Sequence, residues 1–272
     1  MAAAAPVLSV QNLNIQLSTS SKCEDMPFAV ENVYFEIQQG SVYGLIGGSG
    51  SGKTLTCMSI MNLRESSVHI SGSIRLCGRE LLSLKESHMQ RVRGRQVGMI
   101  VQNPMSAFHP AITIGEHFVD VMRSHAPVSK KAALEKALHY LQLVKLDHPE
   151  RLLHMYPFQF SGGMLQRVMI AMVLCLEPVL VIADEPTTAL DTTNQRDILE
   201  LLAELRSSLG LSLLLVSHDL GVICRLADDV GVMRQGQLVE QQPVEQLLKA
   251  PMHDYTKHLL EAAWRLEGGE CL

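Results

Sequence analysis

No stretch of this chain is apolar for long enough to cross a membrane. The most apolar segment, Val168 to Ala183, is interrupted by Glu177-Pro178 and falls short of the roughly 20 residues that a span needs. Met1 to Val10 lacks a charged opening, and its alanine run is too brief for the apolar centre of a secretory leader. Any membrane role is therefore expected to come through a partner. Basic charge is not in excess either: 23 Lys and Arg against 28 Asp and Glu leave a formal net charge of −5. No general positive field recruits nucleic acid. The six cysteines, at 23, 57, 77, 175, 224 and 271, form no C-x-x-C and no metal-type pairing. They read as reduced thiols of a cytosolic protein. The 11 histidines form no H-E-x-x-H, so most are expected on the surface or in loops. There is no low-complexity tract and no internal repeat, and Ala2 to Ala5 reads as a frayed end.

What is present is a globular composition, 47% hydrophobic and 19% charged over 272 residues. That length holds one large domain, or one domain with an inserted subdomain. Short β-type segments come first: Val7 to Leu17, Ala29 to Ile37, and Val42 to Ile46, with Gln39-Gly40 as a turn. Val68 to Leu76 reads as a further strand, and Val97 to Val101 as a buried one ending at Gln102. From Asn103 to about Tyr156 the pattern turns helical. Ser129 is placed to cap a helix whose apolar positions are Leu134, Leu138 and Leu141. A helix is expected from Ser161 to about Glu177, ended by Pro178. Val179 to Ala183 and Leu213 to Val216 read as buried strands flanking an amphipathic helix over 192–209. Fully apolar strands alternating with helices imply a mostly parallel sheet covered on both faces.

Between the strand Val42 to Ile46 and the helix-forming stretch Leu55 to Met61 lies Gly47-Gly48-Ser49-Gly50-Ser51-Gly52-Lys53-Thr54. This is G-x-x-x-x-G-K-[ST] in the strand–loop–helix context that gives the pattern its meaning. Glycines let successive backbone N–H groups turn inward around an anion, and the following helix start adds its partial positive charge. Lys53 is placed to reach the β- and γ-phosphates, and Thr54 to offer a hydroxyl to Mg²⁺. A flexible Gly/Ser linker would not need Lys-Thr at that offset. The chain is expected to bind a nucleoside triphosphate. Downstream, Leu180-Val181-Ile182-Ala183-Asp184-Glu185 puts two carboxylates at the end of a buried strand, the edge at which open parallel sheets bind ligands. Asp184 suits Mg²⁺, which takes one or two carboxylates and keeps several waters. Glu185 is placed to accept a proton from an attacking water.

Ser161-Gly162-Gly163-Met164-Leu165-Gln166-Arg167 resembles the signature motif of ABC ATPases, usually L-S-G-G-Q. Gln102 resembles that family's Q-loop, Ala189-Leu190-Asp191 its D-loop, and His218 in Val216-Ser217-His218-Asp219 its switch histidine. Five motifs in the family's order identify the chain as a member. The resemblance implies an α/β P-loop NTPase with a RecA-like core (1–102 and 166–272), an N-terminal antiparallel β subdomain, and a helical subdomain (103–165) carrying the signature motif. It implies ATP and Mg²⁺, with ATP held between two such domains: the phosphate loop of one, and Ser161, Gly162 and Gly163 of the other. Lys53, Gln102, Glu185 and His218 take the catalytic roles, Thr54, Gln102 and Asp184 hold Mg²⁺, and Asp191 lies at the nucleotide. Hydrolysis is then in-line attack by water. Two departures are visible, Met164 for glutamine and Phe160 for leucine, and Phe28 is the nearest aromatic for stacking on adenine.

Within the family, Gln102 to Pro110, Tyr156-Pro157-Phe158 and the tail Ala250 to Thr256 resemble the oligopeptide, dipeptide and nickel importer group, with Asp254 departing from the usual proline. The phosphate-loop and signature runs are most like those of nickel-importer and metallophore-importer ATPases, which the short C-terminal end also fits. The implied partners are a second, different ATP-binding subunit, two permeases and an extracytoplasmic solute-binding protein, with no nucleic acid and no membrane insertion. The implied place is the cytoplasmic face of the inner membrane. Dipeptide import is the rival cargo. A soluble ABC ATPase acting on DNA or ribosomes needs long heptad arms or a second ATPase domain, which this length does not hold. A regulatory module without hydrolysis would not need the Asp184-Glu185 pair.

Overall fold

A computed structural model of the chain describes residues 5–17, 28–63, 67–188 and 190–266. Phe28 opens a strand, but its side chain lies outside the described residues, as does Ala189 of the D-loop run. The chain divides into two compact units, one formed by Met1–Met89 with Arg206–Leu272, the other by Gln90–Leu205.

The first unit opens with strands β1 (Leu8–Leu17), β2 (Phe28–Ile37), β3 (Val42–Gly47), β4 (Val68–Leu76) and β5 (Arg79–Glu80), with helix α1 (Lys53–Ile60) after β3. Strands β2-β1-β4-β5 form an antiparallel sheet in that order. The strand expected over Val7 to Leu17 forms as β1, and its register with β2 shifts between Val10 and Leu13. Asn12 takes φ 49 there, and asparagine tolerates the left-handed region better than other residues with a Cβ. The bulge keeps Val10, Leu13 and Ile15 all buried.

Later in the first unit come β8 (Ser212–Ser217), α8 (Leu220–Leu226), β9 (Asp229–Arg234), β10 (Gln237–Pro243), α9 (Val244–Lys249) and α10 (Asp254–Leu266). Strand β3 lies between β8 and β9 and runs parallel to both. Every residue of β3 and of β8 is buried, as expected of strands covered on two faces. The entry to β3 is fixed by Asp228, which accepts from the Val42 amide (2.9 Å) and from the Arg206 guanidinium (2.6 and 2.7 Å). Between β9 and β10, Gln235 (φ 49) and Gly236 (φ 83) make the two-residue turn, the left-handed pair that matches hairpin twist.

The second unit holds α2's end, from Gln90 of Glu86–Val92, then β6 (Val97–Ile100), α3 (Ile114–His125), α4 (Lys130–Leu143), α5 (Pro149–Leu152), α6 (Gly162–Leu174), β7 (Leu180–Asp184) and most of α7 (Thr192–Leu209). Strands β6 and β7 are parallel, Ile100 opposite Ala183. Ser129 caps α4 as expected, its hydroxyl accepting from the Ala132 amide at 3.2 Å. The buried face of α4 agrees with the sequence reading at Leu141 and differs elsewhere: Ala133, Ala137 and Tyr140 are buried with it, and Leu134 and Leu138 are only half-buried. Small residues turn inward where α4 packs on α3 and α6, and the leucines cover the flanks.

Helix α6 ends at Leu174, earlier than Pro178 alone would require. Proline disfavours helical backbone in the residue before it, and Glu177 takes φ 54. Its carboxylate accepts from Lys136 Nζ (2.6 Å) and Tyr140 OH (3.3 Å), anchoring the turn to α4. His117 is the interior exception among the histidines, 7% exposed. Its Nε2 accepts from the His109 amide at 2.8 Å and its Nδ1 faces the Thr113 carbonyl at 2.9 Å.

Gln166, in the middle of α6, is fully buried, and neither polar atom of its amide has a hydrogen-bond partner among the described residues. An unsatisfied buried amide costs about 1–3 kcal/mol. Gln166→Met keeps the volume and removes both atoms, so thermal unfolding of the variant is expected to shift upward by about 2–4 °C per kcal/mol recovered. An unchanged or lowered midpoint would show that the amide is satisfied in solution.

Candidate nucleotide site

The phosphate loop leaves the carboxyl end of β3, in the middle of the first unit's parallel strands. Gly47 is the last residue of β3, and a Cβ there would sit 2.2 Å from the Met233 carbonyl oxygen of β9. Only glycine lets the two backbones approach so closely. Gly52 takes φ 104 and caps α1 with no side-chain hydrogen bond, and the start of a helix is where an anion is favoured. Lys53 is 6% exposed, and its ammonium donates to the carbonyls of Gly47 (2.7 Å) and Gly48 (3.0 Å). The loop is further closed by Ser51 N donating to Gly48 O (3.3 Å) and by Gly236 N donating to Ser51 O (3.1 Å). Above it there is room: a Cβ added at Gly50 meets nothing within 4 Å. Ser49 and Thr54 are exposed on this rim.

His218 shares that edge. Ile46 lies opposite Ser217 in the parallel register, so the residue after β8 emerges where the loop begins, and His218 is exposed there. Its neighbour Asp219 caps α8 by accepting from the Gly221 amide at 2.8 Å.

In the second unit, β6 and β7 deliver Gln102 and the two carboxylates to one edge. Asp184 closes β7 and is 7% exposed. Glu185 follows in the left-handed region, φ 50, a conformation that costs about 1–3 kcal/mol for a residue with a Cβ and is concentrated at functional sites. Its Oε2 accepts from Gln102 Nε2 and from Thr188 Oγ1, each at 3.0 Å. Thr188 was not singled out in the sequence, because a threonine three residues past an acid carries no pattern of its own.

Ser161 caps α6, accepting from the Met164 amide at 3.3 Å, with Ser161 and Gly162 exposed and Gly163 buried. A Cβ on Gly163 would lie 2.6 Å from Asn194 Oδ1. Asn194 is in turn held by Asp191, which accepts from its backbone amide (2.9 Å) and its side chain (2.7 Å). These bonds keep the Asp191 carboxyl below its ordinary value, the backbone amide contributing most. The signature turn and the D-loop thus meet through Asn194, a residue with no sequence signal.

The donor set suits a magnesium–triphosphate. In the first unit, amides at a helix start and a lysine ammonium suit phosphate, with the Thr54 hydroxyl beside them; in the second, an amide oxygen and a carboxylate are among the hard oxygen ligands that Mg²⁺ takes. The open space over Gly50 leaves the cradle accessible.

In comparison with known proteins, residues 30–188 match the ABC transporter family. The chain belongs to that family and is an ABC-type ATPase. It is similar to the metal-staphylopine import system ATP-binding protein CntD of Staphylococcus aureus, 41% identical over 93% of this chain and 92% of that protein. It is also similar to the oligopeptide transport ATP-binding protein OppD of Haemophilus influenzae, 38% identical over 97% of this chain and 81% of that one. Among solved structures it resembles a dimeric ATP-binding cassette in a post-hydrolysis state with ADP and Pi. That match has a TM-score of 0.74 and 25% identity, and covers 87% of this chain and 98% of that one. No helix among the described residues is long and apolar enough to cross a membrane.

Proposed function

We propose that this chain powers an importer by binding Mg·ATP on the Gly47–Thr54 loop and hydrolysing it with Glu185 as the base that polarises the attacking water. The observation that carries the catalytic part is Glu185 itself, strained in backbone and held by Gln102 and Thr188. Lys53 and the loop amides bind the β- and γ-phosphates, and His218 contacts the γ-phosphate. Thr54, Gln102 and Asp184 are the residues that would hold Mg²⁺. An ion held there would supply positive charge against the phosphates. Gln102, bonded to Glu185 and rooted at the start of the helical segment, is positioned to report the state of the nucleotide to that segment. Ser161, Gly162 and Gly163 present helix-start amides to the nucleotide of a second ATP-binding subunit, and Asp191 holds the geometry beside them. Closure depends on γ-phosphate contacts that exist in one state and not the other, which is what a ligand needs to drive a conformational equilibrium.

The proposed partners are a second ATP-binding subunit, two permeases and a solute-binding protein, on the cytoplasmic face of the inner membrane. The proposed cargo is nickel or a metal–metallophore complex. Its support is the 41% identity to the metal-staphylopine importer subunit over nearly the whole of both chains. A peptide cargo is the second reading, favoured by 43% identity to the oligopeptide transport ATP-binding protein AppD of Bacillus subtilis. The cargo passes through the permeases, so no metal site on this subunit is required. Uptake of radioactive nickel, free and chelated, and of labelled dipeptide in a deletion strain decides between them. Loss of metal uptake with dipeptide uptake intact is expected, and the opposite pattern would overturn the metal assignment.

A further inference from the structure

The C-terminal helix begins with a side chain that reaches the phosphate loop. The Gly48 amide donates to the Tyr255 hydroxyl at 3.0 Å, across 207 positions of sequence. Resting on the reading of this loop as the ATP site, we propose that Tyr255 is a positioning residue for the nucleotide: its hydroxyl fixes the first bend of the cradle in the shape that receives phosphate.

Gly48 is the residue at which this matters. Its carbonyl accepts from the Lys53 ammonium (3.0 Å) and from the Ser51 amide (3.3 Å). With Tyr255 on its amide, both polar groups of Gly48 are engaged, and the two backbone torsions of a glycine, otherwise the freest in the chain, are pinned. The fit is close: a Cβ on Gly48 would stand 3.3 Å from the Tyr255 oxygen. The hydroxyl accepts from Gly48 and keeps its own proton to donate.

Tyr255 is itself held in place. The Arg234 guanidinium lies over its ring, 5.1 Å from the centroid, and its backbone amide donates to His253 Nδ1 at 3.0 Å. The segment before it is latched to β10 by Glu240, 5% exposed, which accepts from the amides of Met252 (2.8 Å) and His253 (3.0 Å). The carboxylate fixes the turn, the turn fixes the tyrosine, and the tyrosine fixes the loop.

Tyr255→Phe keeps the ring under Arg234 and deletes only the hydroxyl. Titration of the purified full chain with the fluorescent analogue MANT-ATP in Mg²⁺ gives affinity and stoichiometry separately. Losing one hydrogen bond of this kind should raise Kd by roughly 3–10-fold, with one nucleotide still bound per chain. A Kd within twofold of wild type would overturn the proposal. So would reduced stoichiometry at unchanged Kd, because that marks partial unfolding rather than a misplaced loop. Wild-type protein that fails to bind would overturn the ATP reading beneath it, an outcome distinct from either.

Discussion

Glu185→Gln is expected to bind Mg·ATP as wild type does and to hydrolyse it at least about a hundredfold more slowly. A placed general base contributes roughly 10²–10⁴-fold, about 3–5 kcal/mol of barrier. The substitution is conservative in the ways that matter for folding. Glutamine has the same reach, and its carbonyl can still accept from Gln102 and Thr188, which hold the wild-type carboxylate at 3.0 Å each. The left-handed backbone at residue 185, φ 50, costs glutamine about what it costs glutamate, since both carry the same unbranched Cβ. What is lost is the basic oxygen. Steady-state phosphate release by the assembled transporter, beside a nucleotide titration of the purified chain, separates the two quantities. Turnover near wild type would remove Glu185 from the role.

Lys53→Ala should act one step earlier, on binding. The ammonium is 6% exposed and bridges two carbonyls of its own loop at 2.7 and 3.0 Å. The cradle is therefore organised around a positive charge. Truncating one partner of a buried charge-assisted contact costs about 2 kcal/mol or more, so Kd for Mg·ATP should rise by at least about 30-fold. A melting curve of the nucleotide-free protein taken alongside shows whether the loop has also come apart. A Kd within a few-fold of wild type, in a folded variant, would mean that the loop amides alone bind the phosphates.

How much of this was written in the sequence depends on how far apart the interacting residues lie. The phosphate loop was legible because its chemistry is contiguous: strand, glycines, lysine and helix follow one another. The buried strands β3, β7 and β8 were legible because two-sided burial writes an unbroken apolar run. Gln102 and Glu185 sit 83 positions apart, and no spacing rule joins them. Only resemblance to a family placed both in one site. Thr188 and Asn194 escaped altogether, and Tyr255 stands out only as part of a tail that resembles the importer group's, without a role, since such roles arise from tertiary contacts between residue types that are ordinary anywhere on a surface. The β9–β10 hairpin left a readable trace, Gln235-Gly236 after the apolar run Val230 to Met233. The early end of α6 and the bulge at Asn12 are backbone adjustments that propensity does not signal, because neighbouring elements impose them.

The pairing of this loop with a second subunit's signature turn is the claim on which the functional account turns, and Ser161→Arg in the fully assembled transporter tests it most directly. Arginine at the exposed cap of α6 would crowd the partner's nucleotide while leaving this chain's own phosphate loop untouched. Loss of ATP turnover by the assembly, with normal MANT-ATP binding by the purified variant, is the predicted result. Wild-type turnover in that assembly would contradict the account.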